Sequence, residues 1–290
     1  MSRFWSSVSD SVVRWRTVIP VIPFVAESKE ESDVVFPSMS SDEQFTIAFS
    51  RMTRGWAVVD SFRRIGFAGI PQATRIVAHE HTTFVADLAA SGKLSEIIVG
   101  VRGPEDLEKT AIWLREKLTE QAVKNASYSI DAASFVFAHS ILDEGLSSFL
   151  QITSETAREF WEKRLEEKAV PLALVRAQPT DKILSSFIAK EIRKVRRNAS
   201  LIDKCDLLHA ICRPSGPPAN PEYNFDQGRL SELDKLRHDV VHGDLLGSEI
   251  ADAATKLDYL QQTWIYFFVM LHKTFGLRVD PSKFSRAQKQ

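Results

Sequence analysis

A chain of 290 residues with 44% apolar and 26% charged side chains has a globular composition, with enough apolar material for a core. Its formal net charge of −1 excludes binding to nucleic acid through overall charge, so any phosphate-binding surface must be local. Its two cysteines, Cys205 and Cys212, exclude a disulfide framework and a zinc knuckle and read as small buried side chains in a reducing, cytoplasmic setting.

No apolar run reaches the roughly 18 residues needed to cross a bilayer, so no transmembrane segment is expected. Near the start, Phe4, Val8, Val12 and Trp15 share one helical face, with Arg3, Arg14 and Arg16 nearby. A helix packed on its own domain or on a partner explains this pattern; a membrane-surface helix or targeting segment is the alternative. Residues 1–41 read as an N-terminal arm and linker, with a Pro/Ser/Glu-containing connector over 17–41. Ser41 or Asp42 is then placed to cap a helix reaching about Ile65, with Phe45, Phe49, Met52, Trp56 and Val59 on one face. Gly66 to Pro71 predicts a break, and Pro71 to Ala90 a second helix. The run SEIIVGV, Ser95 to Val101, is a candidate strand, and Pro104 opens a helix with acidic residues in its first turn.

From Asp131 the helical period strengthens through Phe135, Leu142, Leu146 and Phe149 and ends near Ile152. A charged helix, Glu155 to Lys168, and the connector AVPLALVRAQP follow. Lys182 to Arg197 is amphipathic: Leu184, Ile188, Ile192 and Val195 share one face, and Lys190, Arg193, Lys194 and Arg197 lie opposite. That basic face is a candidate for holding RNA phosphates, or simply a solvated helix surface. A short helix from Leu201 to Ile211, the loop RPSGPPANPEYN, a helix from Phe225 to His242 and an aromatic-rich helix from Ile250 to Leu271 complete the chain. The prediction is an all-α fold: a helical N-terminal domain over 42–126, a second helical bundle over 127–276, and a loose basic tail over 277–290.

Within the penultimate helix, LRHDVVHGD (Leu236 to Asp244) concentrates an arginine, two histidines and two aspartates. Projection at about 100° per residue gathers Leu230, Leu233, Val240 and Val241 into one apolar arc. Arg237 falls inside that arc. His238 and His242 share a flank about 40° apart, and Asp239 points away. An arginine on a buried face needs an anion, since a desolvated, unpaired guanidinium is very costly. Its partner is either an internal carboxylate or a phosphate, which the guanidinium fork fits in bidentate fashion. On the Asp131–Leu150 segment, His139 and Asp143 sit at the edge of the apolar stripe while Glu144 faces away, so His139, Asp143 and Arg237 are expected to meet in one polar pocket. His242 sits at the negative end of its helix dipole, just before Gly243, where it is either a C-terminal cap or a general acid/base.

Arg237, four intervening residues and His242, on a helix late in an all-α bundle and followed by one long helix, resemble the RX4–6H motif of the HEPN superfamily. The resemblance covers roughly Asp131 to Gly276. It implies a dimeric helical bundle with metal-independent endoribonuclease activity, of the kind found in toxin–antitoxin and antiviral-defence systems. The family's catalytic arginine and histidine map to Arg237 and His242, and its acidic residue to Asp143 in preference to Glu144. His238, Asp239 and His139 become supporting residues. RNA is the implied partner, with an antitoxin or regulatory protein alongside, and no cofactor or metal is called for. Arg237 and His242 lie about 140° apart around their helix, so a two-fold dimer is expected to let each site draw on both copies.

Three other readings compete. A HEPN-like fold retained as a non-catalytic module would use Arg237 as an ion-pair member and His242 as a cap. His238 and His242 also spell HDxxH, close to the zinc-binding HExxH, with His272 or Glu249 as a third ligand. An HD-type phosphohydrolase would draw on His209, His238, Asp239 and Asp258. Neither metal reading accounts for an arginine on the apolar arc.

Overall fold

The computed structural model describes residues 39–97, 103–166, 179–213, 225–242 and 250–283, and these contain helices and no strand. The fold is all-α, as expected. The amphipathic segment Phe4–Trp15, Gly243, Glu249 and residues 284–290 lie outside the described residues.

Helix α1, Ser41–Ala90, begins one residue earlier than expected: Ser40 is the cap, its hydroxyl accepting from the Glu43 amide at 3.2 Å. The predicted break at Gly66–Pro71 does not occur, and α1 runs for 50 residues with Pro71 inside it. The reason is packing against the antiparallel helix α3, Pro104–Thr156. At Gly66 a Cβ would stand 3.0–3.1 Å from the Ile130 side chain, and at Gly55 3.1–3.2 Å from Ile141. Gly66 therefore serves the close approach of two helices, and the lost backbone bond at Pro71 is tolerated inside a paired helix. Arg63 and Asp131 add an ion pair at 3.0 Å between the two.

The boundary expected between residues 126 and 127 falls in the middle of α3, which is unbroken there, and the chain from Ser40 onward groups as one compact unit. No sequence signal at that position dictates a division; the apolar stripe beginning near Asp131 marks where α3 enters the core. The candidate strand is also corrected in its first part, since Ser95–Ile97 belongs to the short helix α2, Lys93–Ile97. Residues 98–101 lie outside the described residues.

The rest of the chain packs around the C-terminal half of α3. Helix α4 (Arg158–Leu165) is shorter than expected and is set off from α3 at Ala157. Helix α5 (Thr180–Asn198) buries Ile188, Ile192 and Val195, and α6 (Leu201–Cys212) starts with a Ser200/Asp203 capping box and buries both cysteines. Helices α7 (Gln227–His242) and α8 (Ala253–Phe275) close the bundle. A single core joins these to α1: Phe45 stacks on Phe268 at 4.5 Å between ring centres, with Phe49, Phe149 and Trp264 around them. The tail is not loose at its start. Leu277 is buried, the Arg278 amide donates to Asp42 at 2.9 Å, the Asp280 amide donates to Thr46 at 3.0 Å, and a 3-10 turn at Pro281–Lys283 packs on α1.

Candidate functional site

Helix α7 is held by Leu230 and Leu233, both buried, as it packs on α3 and α6. Its start is tied to α8: the Tyr259 hydroxyl donates to the Asp226 carbonyl at 2.6 Å and accepts from the Asp226 amide at 2.9 Å, and the Arg229 guanidinium lies 4.2 Å from the Tyr259 ring centre. These contacts fix the rotation of α7 and turn Arg237 inward. Val240 packs against the core, but Val241 is 48% exposed, so the apolar arc narrows in the last turn instead of including both valines.

Arg237 is half-buried, and its Nε is buried with no hydrogen-bond partner. The carboxylates that might have served it are engaged elsewhere. Asp234, one helical turn before it, accepts from His139 Nε2 at 3.0 Å. Asp143 accepts from Lys204 Nζ at 2.7 Å, and the same ammonium donates to Ser147 Oγ at 3.1 Å. Among the described residues, no hydrogen bond or ion pair to Arg237 is formed.

His139 links these groups electrostatically. It is 6% exposed, and burial pushes its pKa below the ordinary 6.5; the Arg237 charge pushes the same way, while Asp234 and Asp143 oppose it. His139, Asp143 and Arg237 thus share one polar region where α3, α6 and α7 meet. The direct bonds, however, run His139–Asp234 and Asp143–Lys204, not among the three as expected. Both Asp234 and Lys204 escaped the sequence reading. Lys204 lies on the same arc of α6 as Leu201, Cys205 and Leu208, so the projection that singled out Arg237 finds it too. A lysine there requires a carboxylate partner across the interface, and Asp143 is that partner.

On the flank of α7, the His238 and His242 rings stand 4.1 Å apart between centres and both side chains are exposed; Asp239 between them is half-buried. Among the described residues, no group of three His, Cys, Asp or Glu side chains is close enough to hold a metal ion. Of the metal-site candidates, His272 Nδ1 bonds the Leu277 carbonyl and His209 Nε2 bonds the Tyr266 hydroxyl at 3.0 Å, amid Phe225 and Phe267. Asp258 lines a separate groove of about 410 Å³ between α1 and α8. Lys190, Arg193, Lys194 and Arg197 are exposed on α5, which packs on α3 and α4.

No protein-family model, curated protein or solved structure matches the chain.

Proposed function

We propose that this protein is a metal-independent endoribonuclease of HEPN type, cleaving RNA to 2′,3′-cyclic phosphate and 5′-OH ends. One observation carries the reading: Arg237 is directed inward with a buried, unpartnered Nε while the neighbouring carboxylates, Asp234 and Asp143, are already paired. A guanidinium so placed is suited to a phosphate. The 2′-OH of the RNA attacks the adjacent phosphorus, His242 takes up its proton, and the bond from phosphorus to the 5′-oxygen breaks. A protonated imidazole returns a proton to that oxygen. Arg237 stabilises the charge growing on the phosphoryl oxygens. Because His242 lies on the exposed flank and Arg237 faces inward, a second copy supplying the complementary residue completes the site. His238 lies against His242 and orients it, and the basic face of α5 is available to RNA phosphates. A cytoplasmic toxin or antiviral effector, restrained by an antitoxin or regulatory protein, is the setting that fits this chemistry.

A second reading rests on a different observation. The His139–Asp234 and Lys204–Asp143 pairs are satisfied polar contacts of the kind that stabilise a binding module. Incubating RNA with the protein in EDTA separates the two. The nuclease reading expects cleavage that persists in chelator and falls by at least about 100-fold in both Arg237→Ala and His242→Ala. An inert wild-type protein that still binds RNA favours the module, and activity abolished by EDTA contradicts both.

A further inference from the structure

Side chains three and four places apart on a helix are neighbours, and the positions so related to Arg237 on α7 are Leu233, Asp234, Val240 and Val241. Asp234 is thus the acidic residue that its own helix offers to Arg237. The two do not pair, although Arg237 Nε is buried without a partner and the Asp234 side chain is 37% exposed, not locked in the core. His139 holds Asp234 instead, with Nε2 3.0 Å from the carboxylate across the contact between α3 and α7. The imidazole is itself fixed, being buried beside Ala138 and Leu142. Burial, with the Arg237 charge, pushes its pKa below 6.5, so at neutral pH the ring is uncharged and Nε2 carries the hydrogen that it donates. Such a donor occupies the carboxylate without setting a second cation beside Arg237. Asp143, one turn along α3, is taken by Lys204 at 2.7 Å.

We propose that His139 is a positioning residue: its hydrogen bond keeps Asp234 off Arg237, so that the guanidinium stays open to a phosphate. Without that bond, Asp234 turns to Arg237, satisfies its buried Nε and occupies the fork that a phosphate would take. A carboxylate three residues before an arginine is inhibitory in this setting unless another helix restrains it, and His139 supplies the restraint from α3. The role rests on Arg237 being a phosphate ligand and adds the device that keeps it available. His139 touches neither the RNA nor the reacting atoms; it acts through Asp234.

A labelled 2′-O-methyl RNA tests it on the full chain, because it presents phosphates but has no 2′-OH to attack, so binding is read apart from cleavage. By fluorescence anisotropy, His139→Ala is expected to bind about tenfold more weakly than wild type. His139→Leu, which fills the space without a donor, gives the same loss and replaces it if the cavity unfolds the chain. His139→Gln, whose amide still donates, is expected to stay within about threefold of wild type. Asp234→Asn removes the competing anion, so His139→Ala combined with it is expected to return to within about threefold of wild type. Asp234→Asn alone is expected to change affinity by less than about threefold, which makes the recovery a coupling of the two positions and not a general gain from losing a negative charge. His139→Ala and His139→Leu that bind like wild type, or a double variant as weak as His139→Ala with both folded by circular dichroism, overturn the proposal. An Arg237→Ala that binds this RNA as well as wild type overturns both the phosphate reading of Arg237 and the role of His139. If Arg237→Ala weakens binding while RNA in EDTA stays uncut, cleavage alone is refuted, and recovery in the double variant still supports the role of His139.

Discussion

The α1–α3 pair is built from two halves that differ in how they are stabilised. In the proximal half, α1 from Phe45 to Val59 and α3 from Ser134 to Thr153 bury most of their apolar side chains in a core shared with α4 to α8. In the distal half, α1 from Asp60 to Phe84 and α3 from Pro104 to Ala133 bury none, and the two helices hold each other through contacts such as Arg63–Asp131 and His81–Thr119. Helix continuity therefore does not imply uniform stability. Burial near 25 cal/mol per Å² secures the first half, whereas the second depends on the pairing of α1 with α3.

The sharpest way to break this comparison is to truncate one phenylalanine in each half. Phe149→Ala, in the fully buried cluster, is expected to lower the unfolding free energy by about 3–5 kcal/mol, and Phe62→Ala, 46% exposed, by less than about 1 kcal/mol. Urea denaturation reads both, and equal losses contradict the division. Glycines sharpen it with opposite signs. At Gly145 a Cβ would stand 2.5 Å from Met52 Cε and 3.1 Å from Trp264 Cδ1, so Gly145→Val is expected to cost about 1–3 kcal/mol through overpacking. Gly69→Ala enters open space and is expected to add up to about 1 kcal/mol of helix stability.

The smallest effect concerns pH. Burial, seconded by Arg237, holds His139 below the 6.5 of an exposed histidine. The unfolded chain then binds the proton first on acidification, so stability is full above pH 6.5 and falls as pH drops towards the folded value. Denaturation of His139→Gln across pH 5 to 7 should give a flatter dependence than wild type in that window. A steeper one means that His139 is stabilised in its charged form.

What the sequence makes legible follows the same division. The helical class, the Pro104 start, the Phe135–Phe149 stripe and the inward turn of Arg237 are local or periodic signals, and the structure has all of them. The continuity of α1 through Pro71 is decided by a partner helix more than 60 residues away, as Gly66 against Ile130 shows, and single-helix rules point the wrong way there. The site was half legible for a related reason. Projection finds an arginine or lysine facing the core, but not which carboxylate on another helix answers it: Asp143, expected in one pocket with His139 and Arg237, pairs with Lys204.

The central claim, that Arg237 awaits a phosphate which His242 helps to cleave, is tested most directly by the chemistry of the product ends. RNA incubated with the protein in EDTA is predicted to carry 2′,3′-cyclic phosphate and 5′-OH termini, and to stay intact with His242→Ala. Termini bearing 3′-OH and 5′-phosphate, or identical cleavage by His242→Ala, would contradict it.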